Sequence, residues 1–175
     1  FSYAKDVFEE AYSKIAVERN VEGAKALMKE IGELERPIVF AHPTGSSLGI
    51  ETAAAVEAAA AQAGVPLKVL GLPSNQYGAL FADVKAREGI DTWFTINFTI
   101  ARDPLEALES VMSPNSLTNY GGYSNDAAND LMARAKAETD PIARAKLVVQ
   151  VQDIFAEELP WIPLVQPRVR VFENN

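Results

Sequence analysis

The stretch PIVFAHPTGSSLGIETAAAVEAAAAQAGVPLKVLGL, residues 37–72, decides the fold. Its first five residues form a short continuous apolar run, the pattern of a strand covered on both faces. The Ala-rich segment 49–63 follows and is closed by Gly64, so it reads as a helix with a glycine C-terminal cap. Residues 66–72, carrying Leu67, Val69 and Leu70, read as a second strand. Outward from there, 75–87 reads as a helix and 91–98, with Trp93, Phe94, Ile96 and Phe98, as a third strand. Asp103-Pro104 opens a helix that runs to 112. Three rounds of strand and helix with short connections predict an α/β fold: a doubly wound, mostly parallel sheet with flanking helices. Upstream, Val7, Phe8, Ala11, Tyr12 and Ile15 place one apolar face on a helix over 1–16, and 21–31 makes another that stops at Gly32. Downstream, 113–126 is rich in Ser, Asn, Gly and Tyr and reads as a long ordered loop. Helices follow at 126–137 and 141–159, the second with Asp140 as N-cap and Pro141 at its first position. Residues 161–165 and 169–172 read as extended segments leaving the domain.

The chain has 175 residues, of which 48% are hydrophobic and 23% charged. That is the composition of a globular domain, long enough to bury its own core. It has no cysteine, which excludes disulfide frameworks, thiolate metal sites and cysteine nucleophiles. The formal net charge is −8 and Lys and Arg do not cluster, so nucleic acid is not an expected partner. No run approaches the ~20 apolar residues of a membrane span. The chain starts at Phe1 rather than Met, and is expected to be a piece of a longer protein, which leaves room for a targeting segment ahead of it.

Gly45-Ser46-Ser47-Leu48-Gly49 matches the G-x-S-x-G of a nucleophile elbow and lies between a predicted strand and a predicted helix. A serine nucleophile needs a base, and the single histidine, His42, stands only five residues before Ser47. An α/β-type serine hydrolase using Ser47 is therefore the alternative reading. The favoured one is a Gly/Ser turn that feeds a helix N-terminus. There Ser46 and the free N–H groups can receive a polar or anionic ligand group. His42 alone cannot build a metal site and is read as a structural or surface residue. The 24 acidic residues lie mostly on helix faces, and no catalytic pair stands out. No phosphate-binding loop motif occurs. The expectation is no catalytic residue, no metal and no cofactor.

Ligand-binding candidates gather elsewhere. In open α/β sheets, ligands bind outside the carboxyl ends of the strands. Asn97, Phe98, Thr99, Arg102 and Asp103 follow the third predicted strand and offer donors, acceptors and an aromatic face. Asp103 before Pro104 is equally a helix cap. Tyr120 and Tyr123, on a glycine-containing loop, can lay flat rings against a ligand or pin the loop to its own domain.

The C-terminal half then resembles a known pattern. It consists of Tyr120 and Tyr123-Ser124-Asn125, then Leu131-Met132 with Ala135, Glu138-Thr139-Asp140-Pro141 with Arg144, Gln152, and Leu159-Pro160-Trp161-Ile162-Pro163-Leu164. That series is similar to the family 5 extracellular solute-binding proteins, the dipeptide-, oligopeptide- and nickel-binding components of ABC importers. Upstream, 24–32 resembles the family's helix before the first strand, and Arg102-Asp103-Pro104 its Asp-Pro after the third. The resemblance implies one lobe of a bilobed protein of the type II periplasmic-binding fold. Residues 21–167 would form the lobe, with 1–20 leading from the hinge and 168–175 returning to the other lobe. It further implies a monomer that is not an enzyme. Such a protein captures a small, peptide-like or related solute between its lobes and delivers it to an ABC permease. The expected location is periplasmic or extracellular, with membrane contact only through a lipid anchor outside this stretch. Two positions depart from the pattern of the peptide-binding relatives: Asn97 stands where they carry tryptophan, and Ile100 where they carry the acid that holds a peptide ammonium. Asn129 also replaces an aspartate. A peptide, a sugar derivative, an opine-like compound and a metal chelate all remain open as the solute.

Overall fold

A computed structural model describes residues 2–15, 18–97 and 103–164. The chain forms two compact units, one from residues 17–98 and the other from 1–16 together with 99–175.

The first unit is a three-stranded parallel sheet with the order β2-β1-β3, where β1 is Ile38–Pro43, β2 Leu67–Leu72 and β3 Thr92–Trp93. β1 pairs with β2 from Ile38↔Leu67 to Pro43↔Leu72, and with β3 at Phe40↔Thr92 and Ala41↔Trp93. Successive side chains of a strand point to opposite faces, and the core divides accordingly. On one face Phe40, Leu67, Val69 and Phe94 pack with Ala53 and Val56 of α3, Ser47–Ala63. On the other, Ala41, Leu70, Leu72 and Trp93 pack with Tyr77, Leu80 and Phe81 of α4, Ser74–Ala82. Helices thus cover both faces of a parallel sheet, as the alternation in the sequence predicts. Tyr77 is buried, its hydroxyl has no partner among the described residues, and burial pushes its pKa upward.

Within this unit α3 starts two residues earlier than expected, at Ser47, and two other elements end earlier than expected. The third strand was expected over 91–98, yet it pairs only at 92–93, with two flanking bonds, from Asp91 N–H to the Val39 carbonyl and from Phe94 N–H to the Ala41 carbonyl. On this register Thr95 falls opposite Pro43, which has no N–H to continue a ladder. The helix expected over 75–87 ends at Ala82. Asp83 adopts an extended conformation and its side chain accepts from Lys85 N–H, opening a separate 3-10 turn at Val84–Arg87. At the amino edge of the sheet, Asp91 receives both Arg36 guanidinium nitrogens at 2.7 Å and Val39 N–H at 2.8 Å. This ties the start of β1 to the start of β3. The Arg36 bond, then the Val39 amide, lowers the Asp91 pKa to about 2.

α2, Val21–Ile31, belongs to the same unit. Asn20 caps it by accepting from Gly23 N–H at 2.7 Å, and Gly32, at φ 82°, ends it.

The second unit is helical: α1 (Lys5–Ser13), α5 (Pro104–Met112), α6 (Asp126–Ala137) and α7 (Pro141–Glu158). Its core centres on Met112, Met132, Val148 and Val151, with Phe8 and Phe155 packed against them. Asp103, Asn125 and Asp140 cap α5, α6 and α7. α1 is shorter than the helix expected over 1–16, because a 3-10 turn occupies Ser2–Ala4.

Two glycines give a paired test of the packing. A Cβ on Gly49 would sit 3.0 Å from Pro43 Cδ and Cγ, a rigid ring, so α3 would have to lift from β1. A Cβ on Gly78, inside α4, meets nothing within 4 Å. Gly49→Ala is expected to destabilise by about 1–2 kcal/mol net of its helix-propensity gain. Gly78→Ala is expected to stabilise by about 0.5–1 kcal/mol. Urea midpoints at unchanged slope measure both, and like signs would refute this packing.

The Arg36–Asp91 tie gives a pH test. Asp91 is depressed in the folded state, so its contribution is complete above the ordinary carboxylate value and is lost as pH falls through about 2. The urea midpoints of the native protein and Asp91→Asn should therefore differ by a constant amount above pH 5 and converge as pH drops from about 4 to 2. A difference that persists at pH 2 would contradict the pairing.

Candidate functional site

Parallel strands bring all their carboxyl ends to one edge, and here that edge is built from the turns after β1, β2 and β3. After β1, Ser46 adopts an extended conformation and its Oγ accepts from Gly49 N–H at 3.1 Å. The G-x-S-x-G match thus resolves into a helix cap. Ser46 is the N-cap, Gly49 allows close approach of α3 to Pro43, and Ser47 is the exposed first residue of the helix. His42, one strand-end away, is buried with 8% exposure, and its Nδ1 lies 3.3 Å from the Pro43 carbonyl. No hydrogen bond links it to Ser47 among the described residues.

The turn after β1 is fastened to the turn after β2. Thr44 donates its N–H to the Leu72 carbonyl at 2.9 Å and its hydroxyl to the same oxygen at 3.2 Å. A Cβ on Gly45 would lie 3.3 Å from Ser74 Oγ. Ser74 and Asn75, exposed at the start of α4, therefore share the edge with Ser46. They were not among the sequence-based candidates, although the Pro73-Ser74-Asn75 run directly after a predicted strand marks them. Asn97 is exposed beyond β3 in the same unit. Phe98, Thr99 and Arg102 lie outside the described residues.

The remaining candidates, Asp103, Tyr120 and Tyr123, sit in the helical unit, each with a partner there. Asp103 accepts Leu105 N–H at 3.0 Å as the cap of α5 and Arg144 Nη2 at 2.6 Å. Arg144 also donates to the Ala135 carbonyl at 3.1 Å, and the bond to Asp103 raises its pKa. Tyr123 donates its hydroxyl to Glu158 Oε2 at 2.5 Å, and Asn125 Nδ2 donates to the other oxygen at 2.7 Å. Burial first, then the Glu158 carboxylate, pushes the Tyr123 phenol up to about 12. Tyr120 faces Trp161, with ring centroids 6.2 Å apart and a tilt of 33°. Asn119 organises the loop between α5 and α6: its Nδ2 donates to the Ser113 and Tyr123 carbonyls, and its Oδ1 accepts Tyr123 N–H. Both tyrosines thus act as struts for this loop.

Among the described residues, no group of three His, Asp or Glu side chains is placed to hold a metal ion, and no helix is long and apolar enough to cross a membrane.

No family model matches the sequence. The chain is 32% identical over 168 residues to "Di/tripeptide-binding protein 4" of Pseudomonas aeruginosa, covering 88% of this chain and 30% of that protein. It is 30% identical over 151 residues to "Glutathione-binding protein GsiB" of Escherichia coli, covering 81% of this chain and 29% of that protein. The chain therefore spans about 30% of the length of the curated relatives it matches. Among solved structures, the murein tripeptide binding protein MppA of Escherichia coli superposes with a TM-score of 0.70 at 18% identity. That match covers 85% of this chain and 29% of that one, and it is a likeness of fold. These relatives are binding proteins by name, which favours the solute-binding reading over the Ser47 hydrolase.

The structural role of Asp103 is separable from ligand contact. Asp103→Asn keeps a cap acceptor but loses the charge facing Arg144, and is expected to cost about 0.5–1 kcal/mol for this partly exposed pair. Asp103→Ala also loses the cap, for about 1 kcal/mol more. Chemical denaturation measures both. A native-like Asp103→Asn whose solute affinity falls more than tenfold would instead make Asp103 a ligand residue.

Proposed function

We propose, taking as premise that this chain belongs with the family 5 extracellular solute-binding proteins of ABC importers over a lobe-sized part of their length, that it contributes one lobe of a solute receptor. The protein holds a small peptide-like solute without transforming it and hands it to an ABC permease. It acts as a monomer outside the cytoplasmic membrane, in the periplasm or at the cell surface on a lipid anchor. Residues 21–167 supply the lobe together with α1, whose Phe8 packs on the helical core, and 168–175 lead to the remainder.

The observation that carries this reading is the 32% identity, across 168 residues, to a protein named for binding di- and tripeptides. The geometry supports it. A carboxyl sheet edge carries Ser46 and Asn97 and lacks a serine–histidine couple. Binding there needs burial and a few oriented polar contacts, not bond making. Of the candidate ligand residues, Ser46 and Asn97 belong to that edge. Asp103, Tyr120 and Tyr123 serve by holding the helical unit in shape.

Mass spectrometry of solutes released from the whole protein, followed by thermal-shift titration with di- and tripeptides and glutathione, tests the proposal. Saturating one solute class at a hundred times its Kd adds about 2.7 kcal/mol and is expected to raise Tm by several degrees. A flat response to every peptide at millimolar concentration, with nothing released on denaturation, would overturn it.

A further inference from the structure

Charge is unevenly distributed over the sheet unit. Between Arg36 and Glu51, between Lys68 and Asp83, and between Asp91 and Arg102 there is no Asp, Glu, Lys or Arg, in a chain of which 23% is charged. Burial accounts for the strands inside these runs but not for the turns and helix starts that follow them. Thr44, Ser47, Leu48, Ser74, Asn75 and Ile96 are all exposed positions within the runs, where Lys and Glu are the ordinary choice. Because β1, β2 and β3 are parallel, the described residues that follow each strand within these runs emerge at the carboxyl edge. The Thr44–Leu72 bonds and the Gly45–Ser74 approach join two of the three turns into one surface.

The same surface is partly apolar, since Leu48 is 36% and Ile96 47% exposed. It also receives the amino ends of α3 and α4, whose dipoles oppose a cation. α4 starts at Pro73 without a side-chain cap, so its first-turn amides are donors for carbonyl oxygens. An ammonium buried against such a face finds no carboxylate among its described residues, and an unpaired buried charge is disfavoured by several kcal/mol. Amide and apolar groups meet no such cost.

We propose that the solute surface resting on this edge is an uncharged peptide segment, with backbone amides and an apolar side chain, and that the edge selects against an ammonium group. This deepens the solute-binding reading and rests on it. The nearest charge beyond β3, Arg102, lies outside the described residues.

One apolar tripeptide in three end-group forms tests the inference, titrated calorimetrically into the whole protein. The forms are N-acetylated with a C-terminal amide (neutral), free amine with amide (cationic), and N-acetylated with free carboxylate (anionic). The neutral form is expected to bind tightest, the cationic form at least tenfold more weakly, and the anionic form within tenfold of the neutral one. Asn75→Asp should restore the cationic form by a similar factor, while Glu35→Gln, at the opposite end of the sheet, should leave the order unchanged. A cationic form as tight as the neutral one overturns the inference, as does an anionic form more than tenfold tighter. An Asn75→Asp variant that leaves the cationic form weak overturns it as well. If no form binds at all, the peptide-binding reading itself fails, and the inference with it.

Discussion

The sheet unit depends on the pairing of one six-residue strand. β1 is bonded along its whole length to β2 and at two residues to β3, and its alternate side chains seed both cores. Phe40 faces α3 and Ala41, fully buried, faces α4. Shifting β1 by one residue would exchange those faces and place a phenylalanine where only a methyl fits. Pro43 then closes the strand. It still aligns with Leu72 on the β2 side, but on the β3 side it offers no donor, so the third strand stops. The turn that leaves Pro43 is the turn that caps α3. Strand length, helix start and the position of Ser46 therefore share one cause.

How much of this was legible in the sequence follows from the range of the interactions involved. α2, α6 and α7 fall within about a residue of their expected limits because their stop and start signals are local: Asn20 and Gly32, Asn125, Asp140 with Pro141. β3 was overextended because Trp93, Phe94 and Ile96 report on apolarity, and a strand also needs a partner that has not run out. The helix over 75–87 was misjudged where Asp83 competes with the helix by accepting a backbone N–H two residues on. Of the candidate residues, Ser46 was legible as part of a turn feeding a helix, though the helix starts two residues earlier than its Ala-rich run suggests. The commitments of Asp103 to Arg144 and of Tyr123 to Glu158 were not, since the partners stand 41 and 35 residues away. Nothing periodic or motif-like announces a hydrogen bond across such a separation.

The loop between α5 and α6 shows how polar residues hold an irregular segment in one conformation. Besides the Asn119 bonds, Ser116 and Thr118 both donate hydroxyls to the Ser110 carbonyl near the end of α5. Glu158, at the last turn of α7, receives Tyr123 and Asn125 together. Several of the loop's backbone groups, among them Asn115, Thr118 and Tyr123 N–H and the Ser113 and Tyr123 carbonyls, are paired with its own side chains, which hold it in shape without a helix or sheet. The composition that marked it as a loop also supplies those partners.

The sheet unit places the Arg36–Asp91 pair and its uncharged polar turns at opposite ends. The amino edge carries the Arg36–Asp91 pair, which anchors the strands where they begin and is solvated enough to cost little. The carboxyl edge is left with hydroxyls, amides, partly exposed aliphatic side chains and the amino ends of two helices. Parallel topology makes this division available: every crossover helix must start at the carboxyl edge, so that edge is donor-rich whatever the side chains are. Side-chain charge placed there would set a fixed preference for an oppositely charged ligand and would repel its like. Leaving it out keeps that edge to hydrogen-bonding and apolar groups, and the Arg36–Asp91 pair stays at the far end of the sheet.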